Sequence, residues 1–318
     1  MDRITELALV ELRRDGRISY SEIAARLGTT RTTIAQRVGP LLDSGEVRIL
    51  AAVHPRVLGL RVLAHVGIRV QGRVDTVAIA MQRLESAVFV SETIGPFHVA
   101  AEIHLHSQEE LRDTLQRIRM TPGVMELTVT IYQEVLSSFF LGPEPNVDGL
   151  VLDAADRAII GMLQRDGREP LRELARAAGL SITAARARMH RLVDSAVMRV
   201  GAIAQTAESS GTITVGLGAT TSDATALVEM LSARAGLHFL ARTIGRFDIV
   251  ATVPCADQEE LRELLDVVRA LDGVLDVEVW FHARMRQERY QFAPQVGEPS
   301  EVVASPSARG PRRPPLNE

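Results

Sequence analysis

Apolar residues along this chain follow two rhythms, and each rhythm occurs twice. Met1, Ile4, Ala8, Leu9 and Leu12 recur at helical spacing, as do Leu152, Ala155, Ile159, Ile160 and Leu163. That spacing lines one face of a helix and predicts about three turns in each place. Asp15-Gly16-Arg17 and Asp166-Gly167-Arg168 read as the stops. A short second helix follows, with Ile23, Ala24 and Leu27 inward in the first half and Leu174, Ala175 and Ala178 in the second. Gly28 and Gly179 close it, since glycine accepts the left-handed backbone of a helix end. A third helix begins at once behind Thr30 and Ser181, whose hydroxyls can cap it. Its inner stripes are Ile34, Val38, Leu41, Leu42 and Ala185, Met189, Leu192, Val193. Two helices joined by a glycine turn, behind a supporting helix, make a helix-turn-helix arrangement. Residues 46–52 and 197–204 then read as extended segments suited to a wing.

The second rhythm has period two. Val62, Ala64, Val66, Ile68 and Val70 alternate with their neighbours and predict a half-buried strand. A helix carrying Val77, Met81 and Leu84 on one side follows it. Strands are expected at 87–93 and 98–105 around Gly95-Pro96-Phe97, a helix at 109–120 and a last strand at 124–135. The same order recurs over 212–285. A β-α-β-β-α-β succession folds into a four-stranded antiparallel sheet with both helices on one face. The expected class is therefore α+β, with winged helix-turn-helix domains at 1–52 and 152–204 alternating with ferredoxin-like domains at 60–140 and 210–290. The open face of each sheet is not uniformly polar, so the two sheets are expected to pack face to face, with homo-oligomers extending the assembly.

The halves also match residue by residue. Gly16-Arg17 recurs as Gly167-Arg168, Thr93-Ile94-Gly95 as Thr243-Ile244-Gly245, and Gln108-Glu109-Glu110-Leu111-Arg112 as Gln258-Glu259-Glu260-Leu261-Arg262, always at a spacing of about 150 residues. This reads as a tandem duplication. Gly142, Pro143, Pro145, Asn146 and Gly149 mark a linker over 141–151, and the Pro-, Ser- and Arg-rich stretch 293–318 reads as a disordered tail.

Composition narrows the function classes. A net charge of −4 excludes a wholesale polycation but leaves room for local basic patches. All 36 basic residues are arginine, whose fork suits phosphates and guanine edges. Cys255 is the only cysteine, which excludes an intrachain disulfide and a cysteine zinc cluster. With no apolar leader and no spanning segment, a cytoplasmic protein is expected. Thr30, Arg31, Thr32, Thr33, Gln36 and Arg37, and in the second half Ser181, Thr183, Arg186, Arg188, His190 and Arg191, supply the hydroxyls, amide and guanidinia that bases and phosphates require. A three-helix element with a polar outer face is common and does not alone specify DNA; its recurrence with the same turn glycine strengthens that reading. Gly39-Pro40 interrupts the first third helix, where proline costs up to about 3 kcal/mol unless the helix kinks or ends.

Taken together, Leu152-Asp153-Ala154-Ala155-Asp156-Arg157, Gly179-Leu180-Ser181, Arg188-Met189-His190-Arg191-Leu192 and Ile244-Gly245-Arg246-Phe247-Asp248 resemble the Lrp/AsnC family of feast/famine regulators, twice over residues 1–290. The resemblance implies a transcription regulator that binds double-stranded DNA and senses an amino acid or similar small effector through its ferredoxin-like domains. Ordinary members dimerise, so this chain would carry both halves of a dimer covalently. Gly95, Phe97 and His98, with Gly245, Arg246, Phe247 and Asp248, are the implied effector contacts. The same turns also read as plain hairpin connections, and His98 stands where the second half has Asp248. No cofactor, metal or catalytic residue is expected. His104 and His106, two apart, could suit a metal but read more simply as sheet-packing residues. Two other readings stay open. One is a sirohaem-decarboxylase-like tetrapyrrole enzyme, although Ser91-Glu92-Thr93-Ile94-Gly95-Pro96-Phe97 lacks the aromatic-arginine signature such an enzyme would carry. The other is a ligand-binding scaffold with degenerate helix-turn-helices.

Overall fold

A computed structural model describes residues 2–138, 145, 150–204, 213–234 and 236–289. Met1, most of the expected linker and the expected tail over 293–318 lie outside the described residues.

The first three helices are α1 (Arg3–Arg14), α2 (Tyr20–Leu27) and α3 (Arg31–Asp43). Each start is fixed by a side chain that accepts otherwise unpaired helix N–H groups: Asp2 for α1, Ser19 with Glu22 in a reciprocal capping box for α2, and Thr30 for α3. Gly28 closes α2 at φ 64°. The second half repeats the set as α6 (Ala154–Arg165), α7 (Leu171–Ala178) and α8 (Ile182–Asp194), with Ser181 capping α8 and Gly179 at φ 66°. Pro40 neither ends nor splits α3, which continues three residues beyond it. Pro40 lies on the exposed face near the helix end, and its carbonyl still accepts the Ser44 N–H at 2.9 Å. Only the bond that its own nitrogen would have donated is lost.

The extended segments expected beside each third helix are present, and they pair with each other across the two halves. Each half supplies one strand, β1 (Val47–Val53) and β6 (Met198–Ala204), and these pair antiparallel with each other from Val47↔Ala204 to Val53↔Met198. Strand β1 therefore has its partner on the far half of the chain, and the two heads share one hydrophobic core. Leu9, Leu12, Ile23 and Ile34 belong to the same buried cluster as Ile159, Leu163, Leu174 and Met189.

The Asp-Gly-Arg stops do more than end helices. Gly16 N–H donates to Val200 O at 2.9 Å, and Gly167 N–H to Ile49 O at 2.7 Å. Arg17 Nη1 reaches Gly167 O at 2.6 Å and Glu169 O at 3.1 Å; Arg168 returns to Gly16 O at 2.9 Å and Ile18 O at 3.0 Å while lying 5.0 Å from the Tyr20 ring centroid. This reciprocal clasp fixes one head against the other. Arg168→Ala removes two charge-assisted bonds and is expected to cost about 2 kcal/mol in urea unfolding; an unchanged midpoint would show the clasp to be dispensable.

The remaining strands form one closed barrel. The first half contributes β2 (Val62–Val70), β3 (Ala87–Ile94), β4 (Val99–Leu105) and β5 (Val124–Ser138), with α4 (Val74–Gln82) and α5 (Gln108–Arg119). The second contributes β7 (Ile213–Thr221), β8 (Phe239–Gly245), β9 (Ile249–Cys255) and β10 (Val274–Glu288), with α9 (Thr225–Ala233) and α10 (Gln258–Arg269). Around the barrel the order is β10-β3-β4-β2-β5-β8-β9-β7. Closure depends on the length of β5 and β10, 15 residues each. The first part of β5 pairs with β2, and its last part, bent by register shifts, crosses to β8. Strand β10 does the same from β7 to β3.

Closure corrects the expectation of a half-buried β2. Ala64, Val66 and Ile68 pack toward the helices, but Leu63 and His65 on the other face are buried too, because that face lines the barrel lumen. Leu63, Phe97, Tyr132, Phe239, Phe247 and Trp280 form an apolar cluster in the lumen.

Candidate DNA-binding heads and effector site

Helix α3 buries Ile34 and Val38 and turns Arg31, Thr32, Gln36 and Arg37 to solvent. Thr30 and Thr33 are engaged with one another: Thr30 Oγ1 accepts the Thr33 N–H at 3.1 Å, and the two hydroxyls lie 2.9 Å apart. Arg37 pairs with Asp2 at 3.2 Å across an exposed surface. Helix α8 buries Ala185, Met189 and Leu192 and exposes Thr183, Arg186, His190 and Arg191, while Ser181 accepts the Ala184 N–H at 3.2 Å.

The second-half arginines divide into two groups. Arg186 is exposed, with no ion pair among the described residues. Arg188 and Arg191 converge on the buried Asp156, at 3.1 Å and 2.7 Å, and Arg188 also grips Asp153. Asp153 and Asp156 are the reciprocal cap of α6. The two carboxylates thus bolt α8 to the start of α6, and both arginines act first on the position of the helix.

The seven expected effector residues are brought to two equivalent turns, each packed on the opposite half. Gly95 and Gly245 have φ 149° and 137°; a Cβ at Gly245 would stand 2.6 Å from Val129 O, and one at Gly95 3.0 Å from Val279 O. Glycine is needed there for backbone reach. Phe97 and Phe247 are buried core, their rings lying over Gly67 and Gly218. His98 and Asp248 do the same work: His98 Nδ1 accepts the Val70 N–H at 3.0 Å, and Asp248 Oδ2 accepts the Thr221 N–H at 2.7 Å. Replacing the carboxylate by imidazole therefore preserves the acceptor that holds the turn. Arg246 is held by Glu278, Nε to Oε1 at 3.0 Å.

The barrel lumen carries polar groups that the sequence pattern did not single out as a site. His65, Glu102, His104 and Thr130 are buried there, on the faces of β2, β4 and β5 away from the helices. Tyr132 donates to Glu102 Oε1 at 3.0 Å. Burial pushes Glu102 up to about 7, with nearby Glu288 adding to the rise and Tyr132 opposing it. Burial also pushes His65 down to about 4. The available signal was two polar residues two apart in β4, Glu102 and His104. His106, by contrast, lies exposed beyond the strand end with Nδ1 3.3 Å from Gly59 O, so the two histidines do not share a site. Among the described residues no group of three or more metal-ligating side chains comes together.

Comparison with known proteins places these features. The AsnC-type helix-turn-helix domain model matches twice, at residues 1–41 and 152–193. The HTH-type transcriptional regulator FL11 of Pyrococcus abyssi is 32% identical over 126 residues, covering 39% of this chain and 83% of that protein. The HTH-type transcriptional regulator LrpA of Mycobacterium tuberculosis is 30% identical over 127 residues, covering 39% of this chain and 85% of its own. Among solved structures, the siroheme decarboxylase NirDL, in complex with an iron-uroporphyrin III analogue, shares the fold over 91% of this chain and 95% of its own, with a TM-score of 0.57 and 16% identity. Two helix-turn-helix matches on an α+β scaffold define a DNA-binding transcription regulator. The chain belongs to the Lrp/AsnC family of such regulators.

Proposed function

We propose that this chain is a cytoplasmic, tandem-duplicated regulator in which winged helix-turn-helix domains at 1–52 and 152–204 bind duplex DNA and ferredoxin-like domains at 60–140 and 210–290 sense a small effector. The observation that carries the reading is the pair of outward helices α3 and α8, each in a segment matched by the family's DNA-binding model. The one-strand-each pairing of β1 with β6 supports a covalent pseudo-dimer, since it joins the halves as two protomers would be joined. No helix among the described residues is long and apolar enough to cross a membrane. Thr30 and Ser181 hold the helix starts, Arg31, Thr32, Thr33, Gln36, Arg37, Thr183, Arg186 and His190 face the grooves, and Arg188 and Arg191 keep the second helix in place while flanking the phosphates. The effector is an amino acid or a similar molecule, and the turns at 95–98 and 245–248 relay its presence between the halves. Chains assemble further as homo-oligomers.

The test is salt-dependent binding to the region upstream of the protein's own gene. Submicromolar affinity is expected, and Arg186→Ala should reduce the slope of log K against log salt by about 1 without altering stability. No retention on DNA at low salt would overturn the reading.

The decarboxylase fold supports a second reading, a tetrapyrrole enzyme, favoured by the buried histidines of the lumen. A coloured, porphyrin-bound preparation would establish it. Against a macrocycle within the lumen stands the packing of Trp280 directly on Gly216, where a Cβ would come within 1.9 Å of Nε1.

A further inference from the structure

The interior of the barrel carries a row of polar groups on the strands of the first half, which Glu288 and His282 of β10 meet from the second. Strand pairing sets Glu288 beside Phe89, Phe89 beside Glu102, Glu102 beside His65 and His65 beside Thr130. Directly paired positions on one face bring side chains within about 5 Å of each other, so Glu102, His65 and Thr130 form a continuous row. The corresponding row of the second half holds Gly216 opposite Thr252, with Trp280 paired to Gly216. Thr252 supplies a hydroxyl there, but that row has no carboxylate and no imidazole.

Several groups at the row lack partners. Both ring nitrogens of His65, Thr130 Oγ1, Trp280 Nε1 and both ring nitrogens of His282 are sealed from solvent without a hydrogen bond. His65, Thr130 and Trp280 are each more than nine-tenths buried. The aromatic rings converge as well: His65 lies 5.3 Å from Trp280 and 5.5 Å from Phe97, and Trp280 lies 4.8 Å from Phe97. A buried polar group without a partner is costly, and native interiors rarely keep several together.

We infer that the lumen beside Glu102 binds a small primary amine that also carries an acceptor oxygen. An ammonium has three donors and no acceptor, and the row offers three acceptors on neighbouring strands: the Glu102 carboxylate, an unprotonated His65 nitrogen and Thr130 Oγ1. Trp280 Nε1 is a donor only and takes the ligand's oxygen. The divergence of the second half makes this one site per chain. Arg13 of α1 comes within 3.4 Å of His238 and interacts with Glu288, so the first head touches the edge of the same polar region. The site rests on the effector-sensing reading and gives it a location other than the turns, whose Asp248 already holds a backbone N–H.

Trp280 is the only tryptophan of the chain, which makes its fluorescence a local reporter. The full chain is titrated with L-leucine, L-phenylalanine, leucinol and N-acetyl-leucine, reading Trp280 emission and thermal midpoint, in the wild type and in Glu102→Gln, Thr130→Val and Asp248→Asn. At least one free amine should shift both readouts and N-acetyl-leucine should shift neither. Glu102→Gln should weaken the response tenfold or more, and Asp248→Asn should leave it intact. If Glu102→Gln does not fold, a weakened response in Thr130→Val supports the site and a full response refutes it. No response to any amine, an equal response to N-acetyl-leucine, or full response in the lumen variants would overturn the site. DNA affinity separates this from the wider reading. An amine that binds through Glu102 without changing DNA affinity keeps the lumen site and removes effector sensing. An amine that changes DNA affinity through Asp248 alone does the reverse.

Discussion

Asp156→Ala should unfold the second head about 3 kcal/mol more easily than the wild type, with far-UV circular dichroism in urea as the measurement. Asp156 is 1% exposed and accepts from Arg188 and Arg191, and it returns a bond to the Asp153 N–H at 3.3 Å. Removing the shared acceptor costs both ion pairs and half of the α6 capping box at once. The upper end of the range for broken buried pairs, about 5 kcal/mol, is not reached, because Arg191 is more than half exposed and can turn its charge to water. DNA affinity should fall with it, since α8 is bolted to α6 through these contacts. A loss below about 1 kcal/mol would mean that the arginines are as well solvated without Asp156 as with it.

The first head shows what becomes of a helix-turn-helix built without that bolt. Thr5 stands in the place of Asp156, buried, its hydroxyl donating to Asp2 Oδ2 at 2.9 Å. Pro40 stands in the place of Arg191, and Arg37 keeps only the exposed pair with Asp2. The loss of the acceptor and the loss of the arginine go together, so proline at position 40 breaks no ion pair. The two outward helices are therefore held by different means, and the second is the more rigidly positioned.

Much of this architecture was legible in the residues. Helical stripes such as Ile159, Ile160 and Leu163, the capping hydroxyls of Thr30 and Ser181, and the turn glycines 28 and 179 act within a few residues, so their spacing announces them. The strands of the barrel were equally plain from their alternation. What escaped was set by partners far along the chain. Nothing local to Val47–Val53 says that it pairs with Met198–Ala204, and nothing local to Arg17 says that it donates to Gly167 O. The effector turns illustrate a different limit: covering of each sheet's open face was expected, but not which side chains would meet beneath it, and Phe97 and Phe247, expected as effector contacts, lie buried there. The polar row at Glu102 was hidden for the same reason. On an open sheet it would face water and mean little.

Glu102→Gln should stabilise the protein by about 3 kcal/mol at pH 8 and by almost nothing near pH 4.5, the difference developing across the interval between. The carboxyl is buried in the lumen, with Tyr132 on one oxygen and His65 and Phe89 at the paired positions, and Glu288 next along the row. Burial raises it from an ordinary 4.5 to about 7, Glu288 adds to the rise, and Tyr132 opposes it. Below the ordinary value both folded and unfolded chains hold the proton, and the residue costs nothing. As pH climbs, the unfolded chain releases the proton while the folded chain retains it, so stability declines until the buried group ionises near 7 and the penalty levels off. Glutamine does not titrate and avoids the decline. His65, which burial pushes down to about 4, imposes the opposite trend below its ordinary 6.5, but it is present in both proteins and cancels in their difference. Urea unfolding of wild type and variant at about pH 5 and pH 8 measures the effect, and a stability difference constant across that interval would show that Glu102 reaches solvent in the folded chain.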